Sequence, residues 1–477
     1  MVSKMRIVTF IVAVVVAATG VAAEKPNIVY LFADQWRASA TGYAGDPNVK
    51  TPTLDRLAKE GLNFRNAVSV CPVCTPCRAA LMTGRYPNST GMFLNDAHLP
   101  DEELCMAEMF AANGYTTGYI GKWHLDGHGR SAYVPPERRQ GWEYWKAAEC
   151  DHNYNQSHYY EGASNTKGQW EGYDVFAQTK AAQAYILDKA KGAKPFVLMV
   201  SYGTPHDPYN TAPKAYKDLY PPERIQLPKN VPAGMESEMR LREALQGYYA
   251  HCTALDKCVG DVLKTLDEAG IARHTIVVFT SDHGDMLGSQ RYGAAQKQVA
   301  YGESARVPFL LQYPVLGARV VKTPLTTTDI LPTLLGLCGI TPPKTIDGGN
   351  LSDMLRQGGE MDNRAVLYMG VAPFRSGPEY RALKTGRYTY VRRLTGPWLL
   401  FDDENDPLQM KDLSRQPEST ALLKELDQRL QTELKKIGDN FRTAQEHIDE
   451  WGYDVKAGGS VPYSKDAKPQ TPRRGGQ

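Results

Sequence analysis

A unit that recurs along this chain limits what it can fold into: a short, wholly apolar run ends abruptly in polar residues, and a helical segment follows. Asn27-Ile28-Val29-Tyr30-Leu31-Phe32 ends in Ala33-Asp34-Gln35, and Thr53 to Glu60 has the pattern of an N-capped helix closed by Gly61. Thr116–Ile120, Phe196–Tyr202 and Thr275–Thr280 repeat the strand pattern, the last running into Ser281-Asp282-His283-Gly284-Asp285. Helices are expected around Glu103–Asn113, over Val175–Lys191, and from about Glu236 to Ala269. Runs without polar alternation are strands buried on both faces, and their alternation with helices indicates an α/β domain with a mainly parallel sheet. In such sheets ligands collect beyond the carboxyl ends of the strands. Asp34, the residues after Ile120, those after Tyr202, and Asp282 all lie at such ends.

The pattern changes after about Ala372. Tyr380–Leu394 and Trp398–Asp402 have the signature of short antiparallel strands, Glu418–Ile437 is an amphipathic helix, and the Lys-, Pro- and Gly-rich end is expected to fray. The expected organisation is a catalytic α/β domain over 24–372 and a smaller α+β subdomain over 373–477. Residues 1–23 have the pattern of a signal peptide: Lys4 and Arg6 precede the apolar run Ile7–Ala18, and Val21-Ala22-Ala23 places small residues at a cleavage site. That run of 12 residues is short for a membrane span of ~20. A periplasmic or secreted protein, detached from the membrane after cleavage, is expected. Without the leader's two bases, the 55 Lys and Arg against 53 Asp and Glu become balanced, which gives no basic stripe for nucleic acid. The eight cysteines are compatible with disulfides in that compartment, although Cys252 and Cys258, six apart on an expected helix, point to roughly opposite faces.

Cys71-Pro72-Val73-Cys74-Thr75-Pro76-Cys77-Arg78 is the most unusual stretch. Its cysteine spacing is also that of metal-cluster ligands, but Leu81 stands where a nearby fourth cysteine would be needed. In the frame that starts at Cys74, Cys74-Thr75-Pro76-Cys77-Arg78 with the downstream Thr83-Gly84-Arg85 resembles the signature of the formylglycine-dependent sulfatases, within the alkaline phosphatase-like superfamily. Cys77 stands where that family usually has Ser or Ala. The resemblance implies that a formylglycine-generating enzyme oxidises Cys74 to an aldehyde whose hydrated form attacks sulfur. Such a reaction needs an activated nucleophile, fixed positive charge against an anionic ester, and an acid for the leaving alcohol.

Further motifs extend the resemblance from Lys25 to about Leu413, in the family's order. It implies Asp34, Gln35, Asp282 and His283 as ligands of one Ca2+ per chain, with Gln35 and His283 in places where many relatives have Asp and Asn. Gly121-Lys122-Trp123-His124 implies that Lys122 holds the diol and sulfate and that His124 takes the proton that regenerates the aldehyde. Thr204-Pro205-His206-Asp207-Pro208 implies His206 as the acid for the leaving oxygen. Gln296 to Pro308 implies Lys297 as the second lysine on sulfate, with Gly302 in place of the usual Glu. Arg78 is expected to order the nucleophile by pairing with a carboxylate near the metal. The fold implied is an alkaline phosphatase-like sandwich with a large mixed, mainly parallel sheet flanked by helices.

The same nucleophile serves phosphonate monoester and phosphodiester hydrolases, and a non-catalytic polysaccharide-binding relative is a third reading. Trp142–Trp170, with Trp145, Asp151, His152, Asn153, Tyr154, His158, Tyr159 and Tyr160, reads as an aromatic and polar insertion near the active face. Such residues either stack on sugars or pack the insertion itself. The first alternative makes a sulfated carbohydrate the expected substrate.

Overall fold

The computed structural model describes residues 25–234, 238–456 and 458–468. The leader expected at 1–23 and the end of the chain beyond 468 lie outside the described residues. In chain order the strands are β1 (Asn27–Asp34), β2 (Leu62–Phe64), β3 (Ala67–Val68), β4 (Thr116–Lys122), β5 (Tyr144–Ala148), β6 (His158–Glu161), β7 (Gly168–Gln169) and β8 (Phe196–Pro205). They continue with β9 (Thr275–Ser281), β10 (Phe309–Gln312), β11 (Arg319–Val321), β12 (Leu325–Thr326), β13 (Ala365–Gly370), β14 (Tyr380–Thr385), β15 (Tyr388–Arg393) and β16 (Gly396–Asp402).

Ten of them form one sheet in the order β11-β2-β10-β9-β1-β8-β4-β5-β6-β7. Its centre, β9-β1-β8-β4-β5, is parallel throughout, and antiparallel pairs lie toward the edges. The expected mixed, mainly parallel sheet is therefore present. Alternate residues of β1 serve two different cores: Ile28, Tyr30 and Phe32 join one, while Val29, Leu31 and Ala33 join the other with the long helix Glu238–Glu268. Burial on both faces is why these strands read as unbroken apolar runs, each such side chain contributing roughly 1.5–3 kcal/mol.

β13 to β16 make a separate antiparallel four-stranded sheet, so Ala365–Gly370 joins it ahead of Ala372. The helix Thr420–Lys436 packs on this sheet through Leu426, Leu430 and Leu434, a spacing of four that puts all three on one helix face. Residues 458–468 do not stray from the body: Val461 N–H donates to the Asn95 carbonyl at 3.0 Å and Ser464 N–H to that of Gly127 at 3.3 Å.

The segment read as an insertion, Trp142–Trp170, instead supplies β5, β6 and β7 of the main sheet. Trp142 and Trp145 pack on Tyr119 with ring centroids 5.2 and 5.4 Å away, and Tyr159 packs on Trp170 at 4.4 Å. These aromatics are core. All eight cysteines are free, buried thiols. Cys77 lies against Thr327 Oγ1 at 3.4 Å and Cys71 joins the core under the small sheet, so the three closely spaced sulfurs do not converge on a shared ligand.

Candidate active site

The carboxyl ends of four consecutive strands, β9, β1, β8 and β4, bring Asp282, Asp34, His206 and Lys122 together. The register aligns them: Ala33 pairs with Ser281, Asp34 with Pro205, and Gly121 with Ser201. Gly121 has φ +100°, and a Cβ there would stand 2.1 Å from the Ser201 carbonyl oxygen, so only glycine lets β4 turn Lys122 inward beside β8.

Cys74 opens the helix Cys74–Thr83, every residue of which is buried. The preceding Val73 offers no side-chain cap, and the Thr75 N–H is taken instead by Asn95 Oδ1 at 3.0 Å. Around the Cys74 sulfur stand His283 Nε2 at 3.3 Å, and Asp34 Oδ1, Lys122 Nζ and Lys297 Nζ, each at 3.7 Å.

Arg78, one turn further along that helix, forks between the two carboxylates. It donates to Asp34 Oδ2 at 2.9 Å and Asp282 Oδ2 at 3.1 Å, and also to Ser201 Oγ and the Lys122 carbonyl at 2.8 and 3.1 Å. Lys122 Nζ adds a bond of 2.5 Å to Asp34 Oδ2. Burial alone would raise the Asp34 carboxyl, yet Lys122, His206, Arg78 and His283 hold it well below the usual carboxylate range. The Oδ2 atoms are thus taken by cations, while Asp34 Oδ1 faces the thiol and Asp282 Oδ1 accepts from the backbone N–H groups of Gln35 and His283.

Asp34 Oδ1, Asp282 Oδ1, His283 Nε2 and the Cys74 sulfur can present donor atoms within 4.8 Å of one another. His283 Nδ1 lies 2.9 Å from the Gly284 carbonyl, an acceptor, so the proton is on Nδ1 and the Nε2 lone pair faces this cluster. Burial lowers the His283 pKa and keeps that lone pair available. Gln35, held at φ 68°, accepts from Lys297 at 2.7 Å through Oε1 and donates to Asp285 at 2.7 Å through Nε2. Two buried carboxylate oxygens and an imidazole nitrogen beside the Cys74 sulfur form a donor set that fits a divalent cation.

His206 presents Nδ1 to the Asp207 carbonyl at 2.8 Å and Nε2 to Lys297 Nζ at 2.8 Å, and its ring stacks on His152 at 4.2 Å. Burial, then Lys297 and His152, drive its pKa well below 6.5, so the imidazole is neutral and accepts from Lys297. Around Cys74 three cations, Arg78, Lys122 and Lys297, face two carboxylates, Asp34 and Asp282, a local excess of positive charge suited to an anionic ester, with Asp285 turned to Gln35 and Tyr209.

His124 is bonded away from the thiol: its Nε2 bonds Asp96 Oδ1 at 2.8 Å, and its carbonyl accepts from the Thr75 hydroxyl at 3.1 Å, beside Cys74. His124 Nδ1 is buried without a hydrogen-bond partner among the described residues. Sequence reasoning singled out none of Asp96, Ser201, Tyr209 and Asp285; of these only Asp285 fell inside a quoted motif. It named His152, but as a possible sugar platform.

This sheet and the polar cluster at its strand ends define a class. The chain belongs to the sulfatase family, whose model matches residues 26–340; a second model, N-sulphoglucosamine sulphohydrolase, C-terminal, matches 290–436. It is accordingly an enzyme that hydrolyses sulfate esters. Among particular relatives, it is 51% identical to an ulvan-active sulfatase of Formosa agariphila over 90% of this chain and 85% of that one. It is 30% identical to an endo-4-O-sulfatase of Bacteroides thetaiotaomicron, over 88% and 94% of the two chains. The crystal structure of yidJ from Bacteroides fragilis superimposes with TM-score 0.81 at 32% identity, covering 88% of this chain and 97% of that one. The alkaline phosphatase-like fold expected from the motifs is thus the fold observed. No described helix is long and apolar enough to cross a membrane.

Proposed function

We propose that the chain is a secreted or periplasmic sulfatase that hydrolyses sulfate monoesters of a sulfated carbohydrate, with formylglycine made from Cys74 by a formylglycine-generating enzyme, and with one Ca2+. One observation carries the reading: the Cys74 sulfur lies within 3.7 Å of two ammonium groups, a carboxylate oxygen and an imidazole lone pair. A thiol kept only for packing has no use for such charged neighbours. The likeness to a relative named for activity on ulvan supports a sulfated polysaccharide as the source of the ester.

When present, hydrated formylglycine supplies the attacking oxygen, and a divalent cation held by Asp34, Gln35, Asp282 and His283 supplies positive charge beside it. Lys122 and Lys297, whose ammonium groups each stand 3.7 Å from the Cys74 sulfur, bind sulfate oxygens. Arg78 fixes both carboxylates. With its Nδ1 proton committed to the Asp207 carbonyl, His206 exchanges protons at Nε2, where Lys297 is the donor at rest. The acid for the leaving oxygen is therefore a Lys297–His206 pair that shares one proton at Nε2. His124, fixed through Nε2, accepts a proton at Nδ1.

Peptide mass spectrometry across Cys74, on protein produced with a maturing enzyme, tests the reading when paired with sulfate release from ulvan oligosaccharides. An aldehyde at residue 74, with turnover lost in Cys74→Ala, is expected. Sulfate release that survives in Cys74→Ala would overturn the proposal.

A further inference from the structure

His124 lies at the end of a hydrogen-bonded chain whose far end comes from residues 458–468. Asp96 Oδ1 accepts from His124 Nε2 at 2.8 Å and from the Tyr463 hydroxyl at 2.8 Å. Asp96 N–H meets Thr75 Oγ1 at 3.2 Å, and the neighbouring Asn95 caps the N–H of Thr75, the residue after Cys74. The C-terminal segment docks on this pair through its backbone, with Ser460 bridging Asn95 and Val461 N–H donating to the Asn95 carbonyl. Tyr463, the side chain aimed inward from this strap, is partly buried.

The chemistry of the chain is directional. Although burial opposes it, hydrogen bonds from His124 and Tyr463 hold the Asp96 carboxyl down at about 2, so Asp96 is ionised and only accepts. Burial pushes the Tyr463 hydroxyl far above its usual range, and it remains a donor. A carboxylate opposite Nε2 holds a proton there, which makes Nδ1, the buried atom without a hydrogen-bond partner among the described residues, the nitrogen left to exchange one. We infer that Asp96 and Tyr463 are positioning residues that fix the tautomer and orientation of His124, which makes the C-terminal strap a component of the active site rather than an appendage. The inference rests on the proposed sulfatase chemistry only for what the Nδ1 lone pair is used for.

The test separates the two. Full-length chain with Cys74 unmodified is labelled with 15N-histidine, the His124 signals are assigned with His124→Gln, and Asp96→Asn and Tyr463→Phe are compared with the parent. The parent should show a proton held at Nε2 of position 124. Asp96→Asn, whose amide both donates and accepts, should mix the tautomers, and Tyr463→Phe should partly do so. In matured protein, kcat should fall on the order of 10²-fold for Asp96→Asn and about tenfold for Tyr463→Phe, with KM within a factor of about two of the parent. His124 signals that stay unchanged in both variants overturn the relay. If the signals shift as expected while the matured parent releases no sulfate, the relay holds and the sulfatase reading fails. Should Asp96→Asn fail to fold, the isosteric Tyr463→Phe decides alone, since an unaltered spectrum and unaltered kcat would refute the strap's role.

Discussion

Replacing Arg78 by Met removes the one group that serves both buried carboxylates, and the structure gives the size of the effect. The guanidinium is 1% exposed and makes four hydrogen bonds, two of them to charged oxygens. Bonds to charged groups contribute about 1.5–3 kcal/mol each and neutral ones about 0.5–1.5. Against this, Met relieves the desolvation of a buried cation, which is several kcal/mol. What decides the balance is what stays behind. Asp34 keeps Lys122 at 2.5 Å, whereas Asp282 loses Arg78, its one strong cationic partner among the described residues, and keeps the backbone N–H groups of Gln35 and His283 and a neutral imidazole. A stranded buried charge costs about 3–5 kcal/mol, which is the loss expected for Arg78→Met. Denaturant unfolding of the protein with unmodified Cys74, with chelator present so that no cation replaces Arg78, should show a lower midpoint at unchanged slope. Adding Asp282→Asn should recover about half of that loss, because it neutralises the stranded group. A single variant within about 1 kcal/mol of the parent, or a double variant no more stable than Arg78→Met, refutes the argument.

Gly121→Ala should destabilise by on the order of 3 kcal/mol, from backbone overlap with Ser201 plus a φ of +100°. Gly114→Ala, with φ +87° but nothing within 4 Å of the added Cβ, should cost only about 1 kcal/mol; equal losses in thermal melts would contradict the steric account. Burial drives the His251 pKa down to about 3, so its contribution to stability is complete above the unfolded value of 6.5 and is lost as pH falls from 6.5 toward 3. His251→Asn should flatten the stability profile by up to about 1.4 kcal/mol per pH unit in that window, and parallel profiles for the two proteins would rule this out.

How much of this was legible in the sequence depended on where each residue's neighbours come from. β1, β4, β8 and β9 could be read because burial on both faces erases polar alternation, and the residues that end them became the site. Trp142–Trp170 was read as an insertion rather than as strands because strands of two to five residues are too short to show a period, and aromatic content, the same in core and in platform, left both of its readings open. Asp96 and Tyr463 left no local signal, being 367 residues apart and joined only by tertiary packing. The departures at Gln35 and His283 became legible only with the pairing geometry. Of the carboxylates here, Asp34 is served by Lys122 and Arg78 and Asp282 by Arg78, whereas Asp285 takes the Gln35 amide and the Tyr209 hydroxyl. Lys297, the remaining cation, is bonded to the Gln35 amide and to His206. An Asp in place of Gln35 would face Asp285 with no amide to donate to it, and would draw Lys297 into an ion pair. A neutral donor at 35 therefore leaves Lys297 free of an ion pair and keeps the local excess of positive charge beside Cys74 that an anionic ester requires.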